Sequence, residues 1–419
     1  MIGRRHVFHI GGYDPIVPDT QLARFRRSLT SFQKTWNVSA SAPGPAVSNE
    51  VSASWRAESA GPNWNTETSY EMLRWDDLIL QDHERGMWSR LGASMVTLGD
   101  WIVTGTLFRF MRSSWKYAGF FLFPYLWVLG FALVGAGIGF AVTWLAGLHG
   151  AIAFVLGALI ALAIFTGLLH RFGWRKPINH VFDDWIFSRQ FVYGQRPKMD
   201  ARIDQFAKAI VARAQKNDVE EIVIVGHCLG AALVMESVAR ALQLDPDLTR
   251  RGPTICILTV GATIPKFALH PAGEKVRAAT QVVARETAIL WAEYHARDDA
   301  ISFYRFDPVT LKRVGRERGD GRPNIRRVQL HSMMDPASFK RHRLNFMRMH
   351  YQMVMGNDQR SQYDYCMVIC GPLPFDEITA PDGGVGRFGP DGSLLTANAP
   401  ALAADAVERP SSGTAVHAA

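Results

Sequence analysis

Between Tyr117 and His170 the chain carries no Asp, Glu, Lys or Arg. One helix cannot use so long an uncharged run, but two membrane spans of roughly 20 to 25 residues each fit it. The break falls at Gly147, Leu148, His149 and Gly150, so Phe120–Ala146 and Ala151–Leu169 are the expected arms of a helical hairpin. Gly135 and Gly139 give the first arm a face of small residues on which a second helix can pack closely. Arg109, Arg112 and Lys116 precede the hairpin, Arg171, Arg175 and Lys176 follow it, and its tip has no basic residue. Positive charge marks the cytoplasmic side of a span, so both flanking parts and both termini are expected there. The alternative is a very apolar helix pair buried in a soluble protein.

The hairpin divides the chain into a first α/β segment (1–116), the membrane insert (117–170), a second α/β segment (171–375) and a tail (376–419) rich in Ala, Gly, Pro, Ser and Asp and expected to be disordered. Four cysteines, at 228, 256, 366 and 370, have neither zinc spacing nor the density of a disulfide scaffold. No metal and no cofactor is expected. The net charge of +8 is scattered, with clusters beside the apolar run, which suits anionic lipid better than nucleic acid. Residues 1–8 hold two arginines but no apolar core of signal-peptide length. Met87 to Trp115 is amphipathic and rich in Trp, Phe and Arg; it reads equally as a helix on the membrane surface or as one packed on the globular part.

Short apolar runs at His6–Ile10, Ile222–Val225, Thr254–Val260, Ala288–Tyr294 and Ile325–Leu330 read as strands, and Val51–Trp55 and Tyr70–Trp75 as extended or mixed. Helical spacing covers Thr20–Lys34, His180–Tyr193 and Asp200–Gln215. Strands separated by helices imply an α/β fold whose sheet is mainly parallel and flanked by helices.

Chemistry enters at Gly226-His227-Cys228-Leu229-Gly230, which joins the strand Ile222–Val225 to the helical pattern Ala231–Leu242. A strand, a sharp turn and a helix with small residues two before and two after the tip make a nucleophile elbow, here with Cys228 at the tip. The helix N-terminus points its partial positive charge at the reacting atom. The bland alternative is a tight turn holding a buried cysteine. A nucleophile needs a base, and the base needs an orienting carboxylate. Asp298 and Asp299 follow the strand ending at Tyr294; Asp299 is favoured because Ala300 and Ile301 would anchor its loop, with Asp298 in reserve. His331 directly follows the last strand and is the base that simple topology prefers; His350 lies later, in Arg348-Met349-His350-Tyr351. His342 sits among basic residues, and His227 is read as a packing residue.

The elbow, the Gly11-Gly12 loop after the first strand, Asp299 and a late histidine together resemble the α/β-hydrolase superfamily on its lipase and esterase side, over roughly residues 1–110 and 180–372. More narrowly, residues 9–15, Arg74-Trp75-Asp76-Asp77, the two-span insertion and residues 348–351 followed by Tyr363-Asp364-Tyr365 resemble uncharacterised bacterial membrane-inserted hydrolases. That resemblance implies His350 as the base, oxyanion amides near Gly12 and at Leu229, and a place in the bacterial inner membrane. Relatives usually carry serine at the tip; the cysteine is similar to that of dienelactone hydrolases and polyhydroxyalkanoate synthases. The expected activity is cleavage or transfer of an acyl group from an ester or thioester, lipid-like given the membrane location, through Cys228, His350 and Asp299. The expected partners are membrane lipid and the small acyl substrate. The rival is a hydrolase-fold membrane protein without catalysis that serves as an interaction module.

Overall fold

The computed structural model describes residues 1–173, 176–314 and 322–395. Arg175 and residues 396–419 of the expected tail lie outside them. Among the described residues the strands are β1 (Arg4–Ile10), β2 (Ser39–Ser41), β3 (Val47–Ser48), β4 (Ser52–Gly61), β5 (Trp64–Leu73), β6 (Glu221–His227), β7 (Thr254–Val260), β8 (Leu290–Ala296) and β9 (Asn324–Val328). They form one sheet in the order β2-β4-β5-β1-β6-β7-β8-β9, with β3 on β4.

From β5 to β9 every neighbouring pair is parallel, whereas β4 runs antiparallel to β5, β2 and β3. The sheet is therefore mixed. Only Pro62 and Asn63 separate β4 from β5, and so short a link can join antiparallel strands alone, because a parallel crossover needs a dozen residues or more. The central strands are buried on both faces, and the period of two divides their side chains between two cores. Val7, Val223, Val225 and Leu258 face one, which includes Phe25, Leu29 and Phe32 of helix α1 (Pro18–Trp36). Phe8, Ile222, Ile224 and Ile257 face the other, which holds two helices introduced below.

Helix α2 (Asp76–His83) follows β5 and leads into α3 (Met87–Val103) and α4 (Thr106–Ser113). The uncharged run then forms α5 (Trp115–Leu145) and α6 (Gly150–Leu168), both long and apolar enough to cross a membrane. Helix α5 starts earlier than expected because the Ser114 hydroxyl caps it, accepting from the Tyr117 amide at 3.3 Å. The small face is used: a Cβ on Gly135 would lie 2.6 Å from the Ala161 carbonyl oxygen, and one on Gly139 2.4 Å from that of Gly157. The arms thus touch backbone to backbone.

After the hairpin come α7 (Lys176–Val192), α8 (Pro197–Gln215), α9 (Gly230–Leu244), α10 (Ile264–Ala268) and α11 (Glu274–Arg285). Ile203 and Phe206 of α8 and Leu233 of α9 complete the second core. A third, aromatic cluster joins Trp101, Phe110, Tyr117, Phe121, Tyr125 and Trp185 to Phe303. It fastens the foot of the hairpin to the α/β part.

The first stretch of the expected tail, Asp376 to Leu395, is packed rather than disordered. Ile378 and Phe388 are buried in the first core, the Phe388 ring meets that of Trp36 at 5.3 Å, and the Trp64 indole donates to the Gly392 carbonyl at 2.9 Å. Two well-placed apolar anchors outweigh a composition that otherwise reads as unstructured.

Candidate active site

Cys228 sits between β6 and α9 with φ +56°, a left-handed backbone that non-glycine residues adopt at a cost of order 1–2 kcal/mol. Three backbone bonds fix it: its amide donates to the Val260 carbonyl at 3.2 Å, and its own carbonyl accepts from the Thr263 amide at 3.1 Å and the Ala231 amide at 3.3 Å. The two elbow glycines are sterically required. A Cβ on Gly226 would meet the Ala231 Cα at 2.6 Å, and one on Gly230 would meet the Ile10 carbonyl oxygen at 2.1 Å. Of the four cysteines only Cys228 is partly exposed; Cys256, Cys366 and Cys370 are buried, and none forms a disulfide.

The loop after β1 passes directly over the thiol. A Cβ on Gly12 would lie 2.7 Å from the Cys228 Cβ and 3.2 Å from its Sγ. The amides of Gly12 and Leu229 make no hydrogen bond among the described residues. Two unengaged donors beside a sulfur are what a tetrahedral oxyanion requires.

Asp299 lies in the loop after β8, buried, with Oδ1 accepting from the Ile301 amide at 2.9 Å. Its Oδ2 is 2.8 Å from His350 Nδ1. His350 lies in a short helix, Phe346–Tyr351, and is 1% exposed. Burial pushes its ring toward neutrality, but the Asp299 carboxylate and then Cys228 outweigh that and raise its pKa from 6.5 to about 10. Among the described residues His350 Nε2 is buried and has no partner in hydrogen-bond geometry, although Cys228 is near enough to act on the ring. Contacts between a nucleophile and its base are often loose in the absence of substrate.

His331 is exposed, its ring 6.0 Å from that of Phe339, and it takes no part in this cluster. Asp298 is half-buried and is not hydrogen-bonded to His350. His227 packs its ring 4.6 Å from that of His350, with Nε2 3.4 Å from the His350 carbonyl oxygen; burial and then the His350 charge lower its pKa. It stays neutral beneath a charged neighbour. Comparison with protein families, curated proteins and solved structures finds no match.

Sequence reading passed over two features. Gly261 has φ +55°, and a Cβ there would lie 2.7 Å from His350 Cε1 and 3.2 Å from Asp299 Oδ2. The glycine at the end of β7 was visible, but not what crosses it. A recess also opens beside Gly11 and Gly12, lined by Trp75, His227, Tyr351 and Arg24. The Arg24 guanidinium lies 4.5 Å over the Tyr351 ring, whose hydroxyl donates to Asp14. No sequence pattern signals a recess drawn from four separate segments. Among the described residues no group of three or more His, Cys, Asp or Glu side chains is arranged to hold a metal ion.

Proposed function

We propose that this chain is a membrane-anchored acyl hydrolase or acyltransferase of α/β-hydrolase type, with Cys228, His350 and Asp299 as its triad. One observation carries the reading: a cysteine held at φ +56° on a strand-to-helix crossover lies beside a buried histidine whose other face is bonded to a buried aspartate at 2.8 Å. His350, holding its proton, is the charge partner a nucleophilic thiolate needs. The sulfur attacks the acyl carbonyl, whose oxygen takes the electron pair and is met by the Gly12 and Leu229 amides. Collapse expels the alcohol or thiol, to which His350 gives its proton, and leaves a thioester on Cys228. Water, or an acceptor alcohol, amine or thiol, then loses a proton to His350 and attacks the thioester, which restores the sulfur. The net reaction with water is ester plus water to acid plus alcohol.

The basic residues flanking the hairpin support a cytoplasmic site on the bacterial inner membrane. The aromatic cluster that links the foot of the hairpin to Phe303, four residues after Asp299, supports a lipid-like acyl substrate met at the bilayer.

The test compares the native chain with Cys228→Ala and Cys228→Ser on chromogenic short-chain acyl esters. Loss of the nucleophile is expected to lower turnover by roughly 10³-fold or more. A labelled acyl donor offered with and without an acceptor alcohol separates hydrolysis from transfer. Undiminished turnover by Cys228→Ala would remove the proposal.

A further inference from the structure

Helix α3 is built inside out. It buries Arg90, Ser94 and Thr97 with Trp101, and exposes Trp88, Met95, Val96, Ile102 and Val103. Its three inward polar side chains are hydrogen-bonded: Arg90 Nε donates to Asp183 Oδ1 at 2.9 Å and its Nη2 to the His83 carbonyl at 3.0 Å, the Ser94 hydroxyl donates to the Leu91 carbonyl at 2.8 Å, and the Thr97 hydroxyl to the Ala93 carbonyl at 2.9 Å. Asp100, the remaining charge on α3, receives the Tyr193 hydroxyl at 2.8 Å and lies 3.1 Å from His270 Nε2. No charge is left on the outer face between Trp88 and Val103. Helix α4 turns away at 74° and exposes Phe108 and Met111, and Trp115 at the start of α5 is exposed as well.

A helix in water shows the opposite polarity, with apolar residues inward. A contiguous apolar face of this kind needs a cover. What covers it is indicated by its neighbours. The Trp88 ring lies 6.5 Å from that of Phe165 on α6, and the Tyr125 hydroxyl of α5 donates to the Ser94 carbonyl at 3.0 Å, so α3 runs directly into the surface of the hairpin. Both ends of the bent pair are tied to the α/β part. Arg90 anchors the first; Arg109, bonded to the Leu269 carbonyl at 2.8 Å, anchors the second, and Lys116, just beyond it at the start of α5, is bonded to the Arg297 carbonyl at 2.8 Å. An element whose two ends return to the same domain dips into a bilayer and does not cross it.

We propose that α3 and α4 form a third membrane element, a bent pair embedded in the leaflet nearest the α/β domain, with Trp88, Met95, Val96, Ile102, Val103 and Phe108 against lipid acyl chains. Trp115, at the start of α5, suits the headgroup boundary, where the exposed Arg112 reaches the phosphates.

The test uses the full chain in phosphatidylcholine and phosphatidylglycerol nanodiscs. Single cysteines replace Val96, Ile102, the hairpin residue Leu133 or the exposed α8 residue Lys208, each in a Cys228→Ala background whose other cysteines are buried. Each carries a nitroxide label, read by collision with oxygen, which concentrates in lipid, and with a water-soluble nickel chelate. Positions 96 and 102 are expected to follow 133, with oxygen collisions several-fold above those of nickel, and position 208 to show the reverse. Nickel reaching 96 and 102 as readily as 208 overturns the proposal. So does low access to both reagents with spin-spin broadening between labels, since a second copy would then be the cover. These substitutions lie on an exposed face and leave packing intact, and a cooperative melt of each labelled chain confirms that it is folded.

Discussion

At the scale of single residues the site depends on a proton. His350 keeps its proton up to a pH of about 10 in the folded chain, because Asp299 and Cys228 outweigh its burial, whereas an unfolded histidine releases it near 6.5. Between those values the folded state binds more protons than the unfolded one. The stabilisation is thus complete below pH 6.5 and is lost as pH rises through about 10, with a slope of at most about 1.4 kcal/mol per pH unit. Thermal unfolding in detergent across pH 6 to 10.5, roughly the span that linkage assigns to this group, should show that decline in the native chain and a flatter one in His350→Gln. Identical slopes would mean that the imidazole is not held as its environment implies. Gly261 offers a second residue-scale check. Gly261→Ala places a methyl 2.7 Å from His350 Cε1, 3.1 Å from its Nδ1 and 3.2 Å from Asp299 Oδ2, against the bond between the two side chains. Displacement of the ring by a few tenths of an ångström to an ångström is expected to cost roughly 10- to 100-fold in kcat with little change in KM. A parallel rise in KM alone would point to the recess instead.

At the scale of elements, the local grammar was readable and the long-range encounters were not. The elbow was legible because its strand, its turn and its helix are contiguous, and the hairpin because an uncharged run as long as Tyr117–His170 permits few structures. The hairpin of β4 and β5 was recognised only at its ends, Val51–Trp55 and Tyr70–Trp75. Between them Ser, Ala, Glu and Thr dominate, and their weak alternation is stabilised by pairing across Pro62 and Asn63 rather than by intrinsic preference. The choice between His331 and His350 could not be made from spacing, since it depends on which segment folds back over β6 and β7. Packing at the elbow makes a direct prediction. Gly230→Ala drives a methyl into the carbonyl oxygens of Ile10 and Gly11, at 2.1 and 2.6 Å, so α9 and the loop over the thiol must separate. Destabilisation of about 2–4 kcal/mol is expected, whereas Gly137→Ala, with open space around it, should cost nothing. Chemical denaturation of both variants in the same detergent decides it, and equal midpoints would show that the close crossover is not under steric constraint.

At the scale of the whole molecule, the membrane insert is an integral part of the fold rather than a tether. Tyr117, Phe121 and Tyr125 at the foot of α5 are buried against Trp101, Phe110, Phe182 and Trp185, and the rings of Tyr117 and Phe303 are 4.2 Å apart. Each large aromatic removed from such a cluster costs about 3–5 kcal/mol, so losing three exceeds the net stability of most domains. Two deletions therefore separate the roles of the hairpin. Replacing Gly130–Leu168 by a Gly/Ser linker removes the apolar arms and keeps the aromatic foot, and this chain should still unfold cooperatively in detergent. Replacing Tyr117–Leu168 strips the cover from Trp101 and Trp185 and should abolish the cooperative transition. If the longer deletion melts like the shorter one, the α/β part carries its own complete core, and the loop at Asp299 owes nothing to the hairpin that packs beside it.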